Sequence, residues 1–335
     1  MFIVNSYSLA VVFCFVTMLC WGSWGNTQKL AAKSWRYELF YWDYVIGMVL
    51  FSLLLCFTMG SIGSEGRPFI EDLGQADVAN IGWVILGGVI FNASNILLSA
   101  STSLAGLSVA FPLGVGLSLV IGTVVNYIGA PKGNPVLLFA GIALIVVAII
   151  CNGVASGKVQ KEGVDPESNR KGLILAVCAG VLMAFFYRFV AKAMDLGNFE
   201  HPTPGMVTPY TAIFIFSLGV LLSNFIFNTF VMKQPFVGEP VTYKQYFKGS
   251  FSTHLVGVLG GVIWCLGTAF SYIAAGKAGA AISYALGQGA PMIAAIWGVF
   301  IWKEFKGSDK NVNILLGAMF LLFIAGLGFI IASGN

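Results

Sequence analysis

The chain alternates long apolar stretches with short polar ones. About ten apolar runs reach the roughly 20 residues that a helix needs to cross the hydrocarbon layer of a bilayer. They lie at 7–29, 36–60, 79–103, 105–127, 135–155, 171–193, 206–232, 254–276, 278–302 and 311–332. The first run has no basic leader and is too long for the apolar core of a signal sequence, so it is expected to remain as a span. Two connections, around Ser103-Leu104-Ala105 and Gly276-Lys277-Ala278, are very short, and each predicts a helical hairpin.

The pattern also repeats. Residues 87–129 begin Gly87-Gly88-Val89-Ile90 and pass through Leu104-Ala105-Gly106, Leu113-Gly114 and Gly116. Residues 260–302 begin Gly260-Gly261-Val262-Ile263 and pass through Lys277-Ala278-Gly279, Leu286-Gly287 and Gly289, in the same register. Lys132-Gly133 answers Lys306-Gly307, and Ala155-Ser156-Gly157 answers Ala332-Ser333-Gly334. Such self-similarity sets architecture before any single motif does. Residues 1–157 and 171–335 are expected to be two copies of one unit, joined by a linker at 158–170. Five spans per copy is an odd number, so the second copy enters the membrane the other way round. The expected fold is an all-α integral membrane protein whose ten transmembrane helices form two inverted five-helix repeats, a plan common in secondary transporters.

Composition agrees. The chain is 58% hydrophobic and 10% charged, with a mean hydropathy of +0.86, where a soluble domain carries about a quarter charged residues. All six cysteines fall inside apolar runs, which reads as small apolar packers and not as a disulfide or zinc framework. His201 and His254 lie in or beside polar connections without a ligand-spaced partner. No metal, cofactor or nucleic-acid partner is expected. The partners implied are lipid, a small solute and protons.

Charge sets the expected orientation. Connections after odd-numbered runs hold Lys29, Lys33 and Arg36; Lys158, Lys161, Arg170 and Lys171; Lys233, Lys244 and Lys248; Lys303, Lys306 and Lys310. Those after even-numbered runs hold little more than Arg67, Lys132, Lys192 and Lys277, and 61–78 carries Glu65, Glu71, Asp72 and Asp77. The positive-inside rule puts the first set, with the 156–170 loop, in the cytoplasm and both termini outside a plasma (inner) membrane. Gly153 to Lys158 echoes a phosphate loop, but it is one residue short and has Val159 where Ser or Thr would bind magnesium, so it reads as linker.

Candidate chemistry is polar residues that lipid would not tolerate. Asp43 lies seven residues past Arg36, ~10 Å further in at the rise of a helix. An ionisable group at that depth costs ~2.5–3.5 kcal/mol on insertion scales and marks a pathway or proton site by default. Asp43 is therefore the candidate for proton coupling. Glu38 is the second, with pairing to Arg36 or Lys33 as its equal alternative. Trp21 and Trp24 share a face with Gln28; Trp21 reads as a stacking surface for a flat solute, Trp24 as part of an interfacial aromatic belt. Asn92 and Asn95 sit mid-span, with Thr268 and Gln288 opposite them by the repeat, and Trp21, Asn92, Asn95, Thr268, Tyr284 and Gln288 form the expected pocket. Helix–helix hydrogen bonding is the plainer explanation for two such amides. Pro112, Gly114 and Gly116 in the fourth run and Gly287, Gly289 and Pro291 in the ninth predict a breakable helix in each half. Arg188 is either a partner for Asp43 or a side chain that snorkels outward.

Three stretches, Trp21-Gly-Ser-Trp24-Gly-Asn26-Thr-Gln-Lys29, Trp35-Arg-Tyr-Glu38-Leu-Phe-Tyr-Trp42-Asp43 and Asn95-Ile-Leu-Leu with Ser103-Leu-Ala-Gly106-Leu-Ser-Val-Ala-Phe-Pro112, resemble the ureide permeases. These belong to the drug/metabolite transporter superfamily, near the glucose/ribose and rhamnose–proton porters. The resemblance covers nearly the whole chain and is strongest in the first four runs. It implies proton-coupled uptake of allantoin, uracil or a similar flat heterocycle. Plant members carry a long central cytosolic loop with a phosphate-loop-like motif; this chain has a short linker, so nucleotide-linked regulation is not carried over. An enzyme is disfavoured, since there is no His-Glu-x-x-His and no Gly-x-Ser-x-Gly. A sugar–proton symporter of the glucose/ribose/rhamnose type and a drug/metabolite exporter remain as alternatives.

Overall fold

Among the described residues ten helices are long and apolar enough to cross a membrane. The computed structural model describes residues 1–32, 35–159 and 165–335, with the backbone only at 107–109. Lys33, Lys161 and the rest of 160–164 lie outside the described residues. The spans are α1 (Tyr7–Ala31), α2 (Tyr37–Phe57), α3 (Val78–Ala105), α4 (Leu107–Gly129) and α5 (Pro135–Val159), then α6 (Pro166–Ala193), α7 (Pro209–Lys233), α8 (Phe251–Ala278), α9 (Ala280–Ile301) and α10 (Lys310–Ala332). Two short helices, Phe69–Gln75 and Tyr243–Tyr246, lie in polar connections. Among the described residues no strand forms.

Helix ends depart from the apolar runs where a cap extends them. α6 begins five residues earlier than its run, because Asp165 accepts the Ser168 amide at 3.0 Å and Pro166 supplies a first residue already shaped for a helix. α8 begins at Phe251, where Ser250 accepts the Thr253 amide. His254 therefore sits inside a span and not beside one.

The two halves share detailed geometry. Gly106 joins α3 to α4 at φ +83°, ψ 153°, and Gly279 joins α8 to α9 at φ +84°, ψ 155°. That conformation is costly for any residue with a Cβ. It reverses the chain with a single residue outside helix in both hairpins. Packing corresponds as well. α3 packs on α6 and α7, while α8 packs on α1 and α2; α4 packs on α6, while α9 packs on α1; α5 pairs with α10. A Cβ on Gly219 in α7 would lie 2.7 Å from the Ile85 carbonyl oxygen of α3, and one on Gly47 in α2 would meet the carbonyl of Val258, the residue equivalent to Ile85, in α8. These pairings fit an inverted repeat. α5 and α10 touch backbone to backbone, since a Cβ on Gly141 would lie 2.6 Å from the Gly326 oxygen. Small residues at such crossings let helices approach in lipid, where no hydrophobic drive brings them together.

Helices α4 and α9 differ. α4 runs unbroken through Pro112 in its second turn. α9 consists of Ala280–Gly287 and Ala290–Ile296, separated at Gln288-Gly289, and closes in a π-turn at Trp297–Ile301.

Gly261 of α8 faces the backbone of Tyr44 and Met48, with the Met48 nitrogen 2.9 Å from where a Cβ would stand. Gly317 of α10 meets nothing within 4 Å. Gly261→Ala is expected to lower stability by about 1–3 kcal/mol through overpacking, and Gly317→Ala to leave it unchanged or raise it by up to ~1 kcal/mol. Thermal unfolding of the detergent-solubilised variants checks both; equal midpoints would contradict the close crossing.

Candidate functional site

The face of α8 that carries Gly261 also carries Trp264, three residues on. Its counterpart Phe91 stands three residues after Gly88 in α3, and the two rings meet with centroids 4.2 Å apart. A cavity opens at this junction of the halves, lined by Trp21, Trp24, Phe91, Asn95, Phe111, Met183, Phe186, Trp264 and Gln288 among others. Its free volume is ≈ 30 Å³, room for one or two waters.

Trp21 is fixed on two sides. Its indole N–H donates to the Thr268 hydroxyl at 3.0 Å, and that hydroxyl donates to the Trp264 carbonyl at 3.1 Å. Its ring lies parallel to Trp264, centroids 6.2 Å apart at 12°, and edge-on to Tyr284 at 6.5 Å. Gly287 admits it, since a Cβ there would stand 2.9 Å from the Trp21 ring. Thr268 and Tyr284 thus stand behind the cavity wall. The Tyr284 hydroxyl shares a 2.5 Å hydrogen bond with Ser118 of α4.

Two amides reach the cavity. Asn95 donates from Nδ2 to the Tyr41 hydroxyl at 3.2 Å, and Gln288, at the break in α9, donates from Nε2 to Ser118 at 3.4 Å. Among the described residues neither amide oxygen accepts a hydrogen bond, so two acceptors face an aromatic-walled space. Asn92 is not brought there. It donates to Ser223 of α7 at 2.9 Å, with its Oδ1 unpartnered. Trp24 is 4% exposed, packs on Tyr44 and lines the cavity. The expectation of an interfacial belt is wrong for it, because α1 places it beneath the helix crossings. Of the glycines, Gly114 and Gly116 accept neighbours from α6 and α5, whereas Gly289 and Pro291 flank the break in α9.

A second cluster lies at the basic end of the bundle, opposite the chain termini. Asp43 is 2% exposed. Its Oδ1 accepts from the Tyr246 hydroxyl at 2.6 Å and lies 2.8 Å from Nδ1 of His254, while Oδ2 has no partner. Gly257 makes room for it: a Cβ there would stand 3.1 Å from Oδ2. Glu38 is fully buried and held by Arg36 at 2.5 and 3.2 Å, and Arg36 also donates to the Val237 carbonyl at 2.7 Å. Among the described residues Arg188 makes no ion pair; it lies beside Gly129 at the far end of α4, so it does not meet Asp43.

Both ends are tied between halves. At the basic end Lys29 pairs with Glu304, and the indoles of Trp297 and Trp302 donate to Ser23 at 2.9 Å and Asn26 at 2.6 Å. At the other end Arg67, paired with the buried Asp72 at 3.0 Å, donates to the Pro202 and Met206 carbonyls at 3.1 and 2.6 Å, and Asp72 accepts from the Thr208 amide at 2.8 Å; Tyr7 donates to the Ile331 carbonyl at 2.7 Å, Cys14 to Ser283 at 3.6 Å and Lys132 to the Gly276 carbonyl at 3.0 Å. Partial burial and the nearby Lys277 hold the Lys132 ammonium below the ordinary lysine range.

Sequence reasoning missed Phe91, Phe186, Trp264, Ser118, Tyr246 and the role of His254. The repeat register was the available signal for Phe91 and Trp264, which follow the paired glycines by the same count. Nothing local marked the others.

The ureide permease family model matches residues 40–165 and 160–333. Ureide permease 1 of Arabidopsis thaliana is 22% identical over 100% of this chain and 99% of its own length. Glucose uptake protein GlcU of Bacillus subtilis is 23% identical over 72% of this chain and 75% of its own. The L-rhamnose-proton symporter of Yersinia pestis is 28% identical over 58% and 55%. A chain of known crystal structure has the same fold at a TM-score of 0.56 and 15% identity, covering 95% of this chain and 97% of that one. Ten spans, an aromatic cavity with two amides at the junction of the halves, and a family match across both place this integral membrane protein in the ureide permease family, whose members are permeases and not enzymes.

Proposed function

We propose that the protein is a proton-coupled uptake transporter for a small, flat solute rich in N–H donors, of the ureide or nucleobase kind. The observation that carries this reading is the pair of amide oxygens, on Asn95 and Gln288, that accept no hydrogen bond among the described residues, in a cavity walled by Trp21 and Trp264. Amide oxygens accept from N–H groups, and the indole faces take a planar ring. A cavity of ≈ 30 Å³ is too small for such a solute as it stands. The solute is admitted when the halves 1–157 and 171–335 rock apart at one end, which the break at Gln288-Gly289 permits on the α9 side. The relatives named ureide permease support this reading over the whole chain. A sugar is the second reading, supported by the relatives named for glucose and L-rhamnose and by indole faces that stack a pyranose as readily. A drug/metabolite exporter fits less well, since the cavity is narrow and carries amides.

The basic end, which the positive-inside rule assigns to the cytoplasm, carries the Asp43–His254 contact between the halves, and Asp43 is the coupling group. Protonation there removes a buried charge and loosens one link between α2 and α8, so opening at this end responds to protons.

Three outcomes follow. Asn95→Ala and Gln288→Ala each raise the half-saturation concentration for allantoin about ten-fold, ~1.4 kcal/mol of lost acceptor, while Asn92→Ala shifts it less than about two-fold; uptake into proteoliposomes measured against uracil, glucose and rhamnose decides between solute classes. Asp43→Asn keeps solute exchange but loses accumulation driven by a pH gradient, and wild-type accumulation in that variant would remove Asp43 from the coupling role. A cysteine at Lys158 reacts with an impermeant reagent from the cytosolic side alone; labelling from outside reverses the orientation.

A further inference from the structure

We propose that His254 is the relay that carries protons between the aqueous phase at the basic end and the carboxyl of Asp43. The inference rests on the coupling role proposed for Asp43 and adds the route.

Asp43 has no route of its own to water, being 2% exposed with one oxygen bonded and the other sealed against Gly257. Two titratable groups hydrogen-bond to it. The Tyr246 hydroxyl lies outside the spans, and burial, then its bond to Asp43, hold it well above the ordinary phenol range, so it donates a fixed hydrogen bond and does not give up its proton. His254 is different. Its Nδ1 lies 2.8 Å from Asp43, its side chain is 25% exposed, and its Nε2 faces the connection to α7, 2.6 Å from where a Cβ on Gly249 would stand. The ring is held edge-on between Trp35, centroids 5.3 Å apart at 80°, and Tyr246, 4.8 Å at 76°. One nitrogen is on the buried carboxyl and the other at the rim, which is the arrangement that lets an imidazole pass a proton through itself. The other charges at this end are occupied or remote. Arg36 holds Glu38, Lys29 holds Glu304, and Lys233, Lys244 and Lys248 are exposed; among the described residues none of them contacts the pair.

The transfer balances without a further reactant. A proton from water adds at Nε2 and makes an imidazolium; the Nδ1 proton passes to Oδ1 of Asp43; the ring is left neutral with its hydrogen on Nε2, and no net charge stays buried. In uptake these steps run in reverse: an Asp43 carboxyl loaded from the other side gives its proton to Nδ1 as Nε2 releases one to the cytosolic water, which leaves a carboxylate beside a neutral ring.

Proteoliposomes loaded for allantoin counterflow and for pH-driven allantoin uptake separate the possibilities. His254→Gln keeps a polar atom near Asp43 but cannot carry a proton. It is expected to retain counterflow within about two-fold and to lose pH-driven uptake by about ten-fold or more, a conservative share of what a positioned acid–base group contributes. His254→Ala is expected to regain uptake when imidazole is supplied on the cytosolic side, a rescue that a purely structural role would not show. The relay is overturned if His254→Gln accumulates allantoin as wild type does, or if counterflow and uptake fall together in both variants and imidazole restores neither. A failure of the underlying coupling reading looks different, because then Asp43→Asn itself accumulates allantoin, whatever the His254 variants do.

Discussion

A polar group in hydrocarbon must find its partner inside the protein, and this requirement shapes the whole molecule. It makes every span a helix, and it makes the helix crossings carry the assembly, since lipid offers no drive for apolar surfaces to leave it. The crossings are built where side chains are absent. Gly47 lies on Val258 and Gly219 on Ile85, and Gly261 lies on Tyr44 and Met48, so that backbones touch between the halves. The one-residue hairpins at Gly106 and Gly279 belong to the same economy, because a longer connection would leave more backbone to satisfy.

Where the requirement is left unmet, function is the natural reason. Oδ2 of Asp43 at the basic end is such a place, and at the cavity the amide oxygens of Asn95 and Gln288 accept no hydrogen bond among the described residues. Others lie along the seam of α2, α3 and α7: Tyr37, Asn92, Asn224 and Asn228 each bury an unpartnered polar atom. Asn228 also donates to the Glu38 carbonyl at 2.8 Å, and Asn92 to Ser223, so this seam partly satisfies itself.

Both ends of the bundle are closed by charged as well as neutral ties. At the basic end Lys29 meets Glu304 and Asp43 meets His254. At the termini end Arg67, paired with the fully buried Asp72, donates to the Pro202 and Met206 carbonyls, and Asp72 accepts from the Thr208 amide. Ionic ties between buried partners depend steeply on protonation, so both ends carry groups whose charge state matters to closure.

Much of this was legible in the chain itself. Ten spans and the two hairpins follow from hydropathy and from Gly-Gly, Ala-Gly and Leu-Gly pairs in register, because lipid forces local pattern and structure to agree. Trp21, Asn95, Gln288 and Asp43 stood out as polar or aromatic groups at depths where lipid tolerates few. Their partners did not. Which way Asn92 turns, that Trp24 is buried, that α4 stays whole while α9 breaks, and that Asp43 meets His254 and Tyr246 from beyond residue 240 instead of Arg188, depend on how helices distant in sequence cross. Hydropathy reports the depth of a residue in the membrane and says nothing of its rotation or its neighbours; only the packed bundle decides those.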